Sequence, residues 1–395
     1  MPDGTDIDKD LAEEVSVLPA ISAVGAEEWD ACAGAGNPFL SHDFLNALEE
    51  SGSVRAETGW LPRHLVVKDG DGRLAAAMPM YLKGHSQGEY VFDWGWADAY
   101  ERAGGRYYPK LLSAVPFTPA TGPRMLVRPD IDRTRAEEIL AGGVVALMNQ
   151  LNVSTAHVNF LPKPQWDRLG AFGFLKRTGL QYHWRNDGYG SFDDFLAALS
   201  SRKRKAIRKE RRQVADTDLV LRRLVGRDIE ERHWDAFFHF YMDTSDRKWG
   251  SPYLNRTFFS LLGERMAERV LLVVAERDGR PVAGALNLIG SDTLFGRNWG
   301  CTEDYRFLHF EACYYQAIDF AIERGMTTVE AGAQGQHKIQ RGYLPVETYS
   351  NHLILDDGFR DAVEDFLTRE RRQIAHEKAL LMEESPFRET GEDGR

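Results

Sequence analysis

Leu65-Val66-Val67 leads through Asp71-Gly72-Arg73 to Ala76, and Leu272-Val273-Val274 leads through Asp278-Gly279-Arg280 to Ala283. Each residue of the second run stands 207 positions after its counterpart in the first. An apolar β-branched run, an Asp-Gly step and a second run of small residues describe a β-hairpin, because Asp and Gly adopt left-handed turn conformers at little cost. The match continues beyond the hairpin. Trp94-Gly95 and Tyr100 correspond to Trp299-Gly300 and Tyr305 at an offset of 205, and Tyr107-Tyr108 to Tyr314-Tyr315 at 207 again. Strand, turn, aromatic-Gly and Tyr-Tyr in one order imply two copies of one domain, with the slips in offset read as loop-length changes.

The chain has room for two such domains. Its 395 residues suit two cores of ordinary size. With 43% hydrophobic and 28% charged residues it has the composition of a globular protein. No apolar run reaches the length of a membrane span, so no membrane insertion is expected. The acidic N-terminus has no basic-then-apolar leader pattern, and the three cysteines form no pair at disulfide or metal spacing. A cytoplasmic enzyme without a bound metal is the expectation. There is no Walker loop, dinucleotide fingerprint or Gly-x-Ser-x-Gly.

Along the chain, residues 1–14 read as a solvated acidic tail and 15–190 as the first domain. Within the latter, 90–96 read as a strand and Gly104-Gly105 as the lead into a short helix through Leu111-Leu112. Residues 191–215 read as one continuous amphipathic helix between the domains. Ser191 and Asp194 form its capping box, and Phe195, Leu199, Ile207 and Val214 lie on its apolar stripe. The second domain spans 216–383, with a buried helix at 307–324 ended by Gly325 and a short strand closing on Glu330. Residues 384–395 read as a second disordered tail. Antiparallel meanders mixed with strand-helix-strand units give an α+β (mixed α/β) class.

Net charge is −11, yet residues 202–212 hold eight positive charges and one negative. That run carries +7, so the rest of the chain sums to −18 (−11 minus 7). Such concentration suits an anionic partner, since Arg offers bidentate phosphate contacts and Lys a mobile charge.

Three stretches resemble the signatures of FemAB-like peptidoglycan biosynthesis/recognition proteins, a group of N-acyltransferases in the GNAT superfamily. They are Phe192-Asp-Asp-Phe-Leu196 with Ser200 through Arg212; Glu330-Ala-Gly-Ala-Gln-Gly-Gln-His-Lys338 with Arg341-Gly-Tyr-Leu-Pro345; and Tyr108-Pro-Lys110 with Pro116-Phe-Thr-Pro119. The resemblance implies two tandem GNAT-like domains. It implies transfer of an acyl group to an amine, from acyl-CoA as in ordinary GNAT enzymes or from aminoacyl-tRNA as in FemX. One departure stands out. Asp304 through Phe310 occupies the place where a Gly-rich pyrophosphate loop would precede the buried helix.

Amine acylation needs a base, a polarised carbonyl and an acid for the leaving group. Glu330 or His309 is read as the base, backbone amides near the 293–300 strand as the polarising groups, and Tyr315 as the acid. Tyr314 is an equivalent by position. Arg204, Lys205, Arg208, Arg247, Trp249, Gly332, Gln334, Gly335, His337, Lys338 and Arg341 are read as binding the donor. The small residues of the loop permit close backbone approach. Asp93, Trp94, Tyr108, Lys110 and Arg124 are read as the acceptor side. The first copy would hold acceptor and the second donor. Three functions stay open: an acyl-CoA-dependent N-acyltransferase, an aminoacyl-tRNA-dependent one, and a recognition module without chemistry.

Overall fold

The computed structural model describes residues 11–247, 252–332 and 335–388, the side chains at 12, 13 and 245–247 apart. These divide into two compact units. One takes the residues up to Gly179 together with Thr348–Ile374, the other Leu180–Glu347 and the residues from Ala375 onward. The division therefore falls near 180 rather than at 190, and the chain returns to the first unit before its end.

The first unit opens with β1 (Leu11–Leu18), α1 (Ala26–Ala33) and α2 (His42–Glu50), capped by Ser41, whose hydroxyl accepts from the Phe44 amide. Then come β2 (Trp60–Pro62), β3 (His64–Asp69), β4 (Leu74–Met78) and β5 (Tyr81–Lys83). After these follow α3 (Trp94–Arg102), β6 (Lys110–Ser113), β7 (Leu126–Val127), α4 (Arg133–Leu151), β8 (Thr155–Leu161) and α5 (Lys163–Ala171). β9 (Leu175–Arg185) carries the chain into the second unit.

There the order is α6 (Phe192–Ala198), α7 (Ser201–Ala215), β10 (Leu219–Val225), α8 (Glu231–Arg247), α9 (Arg256–Met266), β11 (Val270–Arg277), β12 (Arg280–Ile289) and β13 (Thr293–Cys301). α10 (Leu308–Phe310) runs through a π-helical turn, Glu311–Tyr315, into α11 (Gln316–Glu323) and β14 (Thr328–Glu330). β15 (Leu344–Ile354) and α12 (Asp357–Glu383) complete the chain.

The duplicated sequence is a duplicated scaffold from strand to hairpin. β1, α1, α2, β3 and β4 in one unit recur as β10, α8, α9, β11 and β12 in the other. β1 pairs antiparallel with β3 and β3 with β4; β10 pairs so with β11 and β11 with β12. Leu65, Val67, Ala76 and Met78 are wholly buried, as are Leu272, Val273 and Ala283. Each fully buried large apolar side chain contributes about 1.5–3 kcal/mol. The turns differ. Asp278 and Gly279 both take positive φ, 51° and 74°, as a two-residue hairpin turn requires. The first turn is longer, and the Asp69 carboxylate closes it by accepting from the amides of Asp71 and Arg73.

Beyond the hairpin the copies part, against the sequence reading. Trp299-Gly300 lies in β13, but Trp94-Gly95 begins α3, so 90–96 is not a strand. The two glycines serve different ends. A Cβ on Gly300 would meet the Phe240 carbonyl oxygen at 2.3 Å, so only glycine admits α8 there; at Gly95 nothing lies within 4 Å. Leu111-Leu112 lies in β6, not in a helix. That strand pairs with β5 on one side and β8 on the other and is buried throughout. A short, wholly apolar run fits strand and helix alike by periodicity.

Three further expectations change. The 191–215 segment is two helices. Leu199 turns extended at ψ 156°, Ser200 donates to the Pro386 carbonyl, and Leu199 bridges to Phe387. Both helices belong to the second unit and do not form an inter-domain linker. Residues 11–14 belong to β1. At the other end, Arg388 donates through its amide to Ala198 and through its side chain to Leu199, so 384–388 are ordered. Gly325, at φ 65°, does end the helix, its amide bonding the Ile322 carbonyl.

Candidate functional site

In the second unit, α10, the π turn and the 335–342 segment bring four rings together. His309 lies 5.3 Å from Tyr314 and 6.2 Å from His337, and Phe310 lies 5.5 Å from His337. Trp299 of β13 packs on His309 at 5.4 Å. The Tyr314 hydroxyl and His337 Nε2 are hydrogen-bonded at 3.1 Å. Burial and the charges of Arg341 and Lys338 push the His337 imidazole below its ordinary pKa. Burial raises the Tyr314 phenol, which keeps its proton. The pair is therefore a neutral imidazole beside a neutral phenol near pH 7. A π turn at this position fits the tendency of such turns to mark functional helices.

A charged brace stands behind the pair. Arg341 is buried, with its guanidinium 3.4 Å above the Phe310 ring. It donates to the His337 carbonyl at 2.7 Å and to Glu210 of α7 at 2.8 Å. The Tyr315 hydroxyl donates to the other oxygen of Glu210. Tyr315 is wholly buried, and burial together with Glu210 raises its pKa. It is thus committed to the brace. Arg211 holds Glu311 and Asp319 at 3.0 and 2.7 Å, fixing α7 to the π turn and α11.

Glu330 ends β14 with little exposure, and its Oε1 lies 3.8 Å from His183 Nε2. Burial holds His183 down to about 3, so this is a contact with a neutral ring and not an ion pair. Lys338 is also buried, and burial lowers it to about 8. Its ammonium donates to the carbonyls of Ala331 and Gly332 and so shapes the loop from within. Gly332 and Gly335 take positive φ, 74° and 101°. Gln334 and Trp249 lie outside the described residues, and Arg247 is described only as the last residue of α8. The pairing of β12 with β13 shifts register between Ala285, which faces Trp299, and Asn287, which faces Gly296, as at a bulge in β13.

On α7, Arg204 is half-buried and Lys205 exposed; Arg208 is exposed and pairs with Asp193 at 2.9 Å. Among the described residues, the side chains of Arg202, Lys203, Arg204, Lys205, Lys209 and Arg212 have no hydrogen-bond or ion-pair partner.

The first unit gathers a separate buried cluster. Lys110 Nζ holds Glu89 and Ser86, each at 2.8 Å, and Asp93. Burial opposes the charge on Lys110 and Asp93, but their mutual attraction wins: Asp93 is lowered and Lys110 raised. For Glu89 burial wins, raising it to about 7. Tyr107 donates to Asp93 at 2.6 Å and lies 3.3 Å from His157 Nε2. His157 and His352 meet through their Nδ1 atoms at 2.7 Å, and Ser350 Oγ lies 3.0 Å from His352 Nε2. One proton arrangement satisfies the whole chain: Ser350 donates to His352, His352 to His157, His157 to Tyr107, and Tyr107 to Asp93. It requires both imidazoles neutral, and burial holds His157 near 3 and His352 well below the usual histidine range.

Of the expected acceptor residues, Asp93 and Lys110 touch, and Tyr108 joins them through Ser86 at 2.7 Å. Trp94 is apart, 55% exposed, with its ring tilted on Phe92 at 5.0 Å. Arg124 is a structural residue rather than an acceptor contact. It is wholly buried and donates to the carbonyls of Asn159, Gly122, Pro123 and Ala120.

A family model for FemAB-like proteins of peptidoglycan biosynthesis/recognition matches residues 20–389. The chain belongs to the FemAB-like family. Membership sets it among the transferases, and the fold is the mixed α/β fold of two GNAT-like halves. FemX is similar in structure at a TM-score of 0.55 and 12% identity, over 86% of this chain and 98% of that one. The C-terminal domain of an Agrobacterium fabrum protein named as a lysylphosphatidylglycerol synthetase is similar at 0.51 and 9%, over 86% and 95%. A Bacteroides thetaiotaomicron protein of unknown function is similar at 0.52 and 12%, over 86% and 100%. Among curated proteins none matches. No described helix is long and apolar enough to cross a membrane.

In this FemAB-like chain the sequence reading passed over Glu210, His183, Glu89, His157 and His352. Glu210 had a signal of its own, being the one acid in the basic run. The histidines had none, because neither strand shows which residue it will face across the sheet.

Proposed function

We propose that this protein is an N-acyltransferase whose chemistry is centred on Tyr314 and His337. The observation that carries this is the 3.1 Å bond between a neutral imidazole and a protonated phenol, braced through Arg341 and Glu210. His337 takes a proton from the acceptor ammonium. The freed amine attacks the acyl carbon, forming the N–C bond and breaking the bond to the leaving group, and the second proton that the nitrogen sheds as it becomes an amide passes to solvent. Tyr314 hands its proton to the leaving thiolate or alkoxide and regains one from His337. This moves the acid from Tyr315 to its neighbour, with His309 packed against Tyr314 and Glu330 near His183. Peptidoglycan precursors are the acceptor class in keeping with the family's description.

An acyl-CoA-type donor remains the first reading, its phosphates held by Arg204, Lys205 and their neighbours on α7. Aminoacyl-tRNA is the second, favoured by the number of α7 cations without a partner. Isothermal titration with acetyl-CoA and longer acyl-CoAs, beside filter binding of charged tRNA over a salt series, decides between them. The acyl-CoA reading predicts saturable binding of at least one acyl-CoA. Activity on charged tRNA with no acyl-CoA bound overturns it. Binding of neither donor overturns the transferase reading of this site.

A further inference from the structure

A cavity of about 190 Å³ lies in the first unit, where the end of α5, the start of β9 and one face of α12 meet. It is unrelated to either cluster above. Its wall carries three cations, Lys176, Arg360 and Arg371, against one carboxylate, Glu364, and its apolar part includes Leu175 and Leu367. Lys176 is already held by Asp167 at 2.7 Å and lies 4.3 Å over the Trp166 ring. Counting Asp167, the wall still has one positive charge in excess.

The guanidiniums have capacity left. Arg360 donates through Nη2 to the Gly173 carbonyl at 3.1 Å, its one side-chain hydrogen bond among the described residues. Arg371 donates to the Lys176 carbonyl and, at 3.2 Å, to Thr368. Each guanidinium has five N–H donors, and a buried charged donor left unpaired is costly. Glycines open this wall. Gly173 takes φ 87°, and a Cβ on Gly170 would meet the Lys176 side chain at 2.2 Å.

We propose that this cavity binds a small carboxylate carrying a short apolar chain, with its oxygens on Arg360 and Arg371 and its chain against Leu175 and Leu367. The planar fork of arginine matches a carboxylate, and the leucines supply what a bare inorganic anion would leave unused. The proposal does not depend on the transfer chemistry, and its readout is binding alone.

The test is calorimetric titration and thermal unfolding of the full chain with butyrate, beside inorganic phosphate. Butyrate should bind saturably and raise the melting temperature with concentration, as a ligand of the native state must. Arg360→Gln should weaken binding about tenfold, and Glu364→Gln, at an exposed position, should tighten it about threefold. If Arg360→Gln fails to fold, Glu364→Gln alone decides. No butyrate binding, affinity unmoved by Glu364→Gln, or phosphate bound in preference to butyrate overturns the proposal.

Discussion

One carboxylate oxygen of Glu210 accepts from Arg341 at 2.8 Å, and the other takes the Tyr315 hydroxyl. A single acid on a cationic helix thus ties α7 to the segment that carries His337. Lys209 before it lies in solvent, whereas Glu210, like Arg211 after it, points into the fold. The brace explains why a tyrosine of the right type, Tyr315, is unavailable, while Tyr314 one residue earlier faces an imidazole.

Replacing Glu210 with Gln should therefore lower kcat more than it raises KM. Arg341 would keep its bond to the His337 carbonyl but lose its buried counter-charge. The loss of a charge-assisted bond of this kind costs about 1.5–3 kcal/mol of stability. Steady-state kinetics and urea unfolding on one preparation check both halves. A change in KM alone would mean that Glu210 serves binding and not the position of His337.

His337 gives a pH prediction with a definite sign. Its pKa is lowered, and it acts as a base only when neutral. Activity should rise with pH through a midpoint below about 6.5, the ordinary histidine value, and then hold. His337→Gln should remove that limb and reduce kcat/KM by about 10² to 10⁴-fold. Tyr314→Phe should slow the reaction while leaving the midpoint in place. An acid limb that persists in His337→Gln would assign the base elsewhere, with Glu330 the first to examine.

The exposed face of α7 should act through charge alone. Lys205→Glu with Lys209→Glu should change stability by no more than about 0.5 kcal/mol, since both side chains lie in solvent. Donor affinity should fall. If the donor is a nucleic acid, the slope of log affinity against log salt should also become shallower, by about 0.7–0.9 for each phosphate that is no longer neutralised. Unchanged affinity would make this face a solvated surface only.

What the sequence disclosed follows from what each signal measures. The 207-residue repeat located the two hairpins because burial in both units constrains the same positions; the strand and two helices before each hairpin lie outside it. It misled beyond the hairpin, where Trp-Gly recurs for unlike reasons: Gly300 admits α8, whereas Gly95 faces open space. Of the residues marked by type around the loop after Glu330, His309 lies 6.2 Å from His337 and Arg341 bonds the His337 carbonyl, while Lys338 bonds the carbonyls of Ala331 and Gly332. Their arrangement was not readable, because it rests on Glu210 arriving from a helix 131 positions away from Arg341. Arg124 was misjudged on type alone. A lone arginine serves carbonyls as readily as ligands, and only its four carbonyl partners decide.

The Lys110 cluster makes the last prediction. Lys110→Met leaves Glu89 and Asp93 buried without their cation and should cost about 3–5 kcal/mol, the usual result of removing one partner of a buried pair. Glu89→Gln tests the cluster by pH. In the folded chain Glu89 titrates near 7, above its ordinary 4.5. Its neutral form therefore lends stability that is full below 4.5 and lost as pH rises through about 7. Glu89→Gln lacks that decline, so its stability relative to the native chain should grow across this window, by at most about 3 kcal/mol. Lys83, lowered to about 7 by burial, has the opposite sign and a different range. Its ammonium burdens the fold below 7 and is relieved as pH climbs toward the ordinary lysine value. Urea midpoints measured from about pH 4 to 9 separate the two. A difference between Glu89→Gln and the native chain that stays flat from 4.5 to 7 would mean that Glu89 is ionised throughout and that Lys110 outweighs its burial.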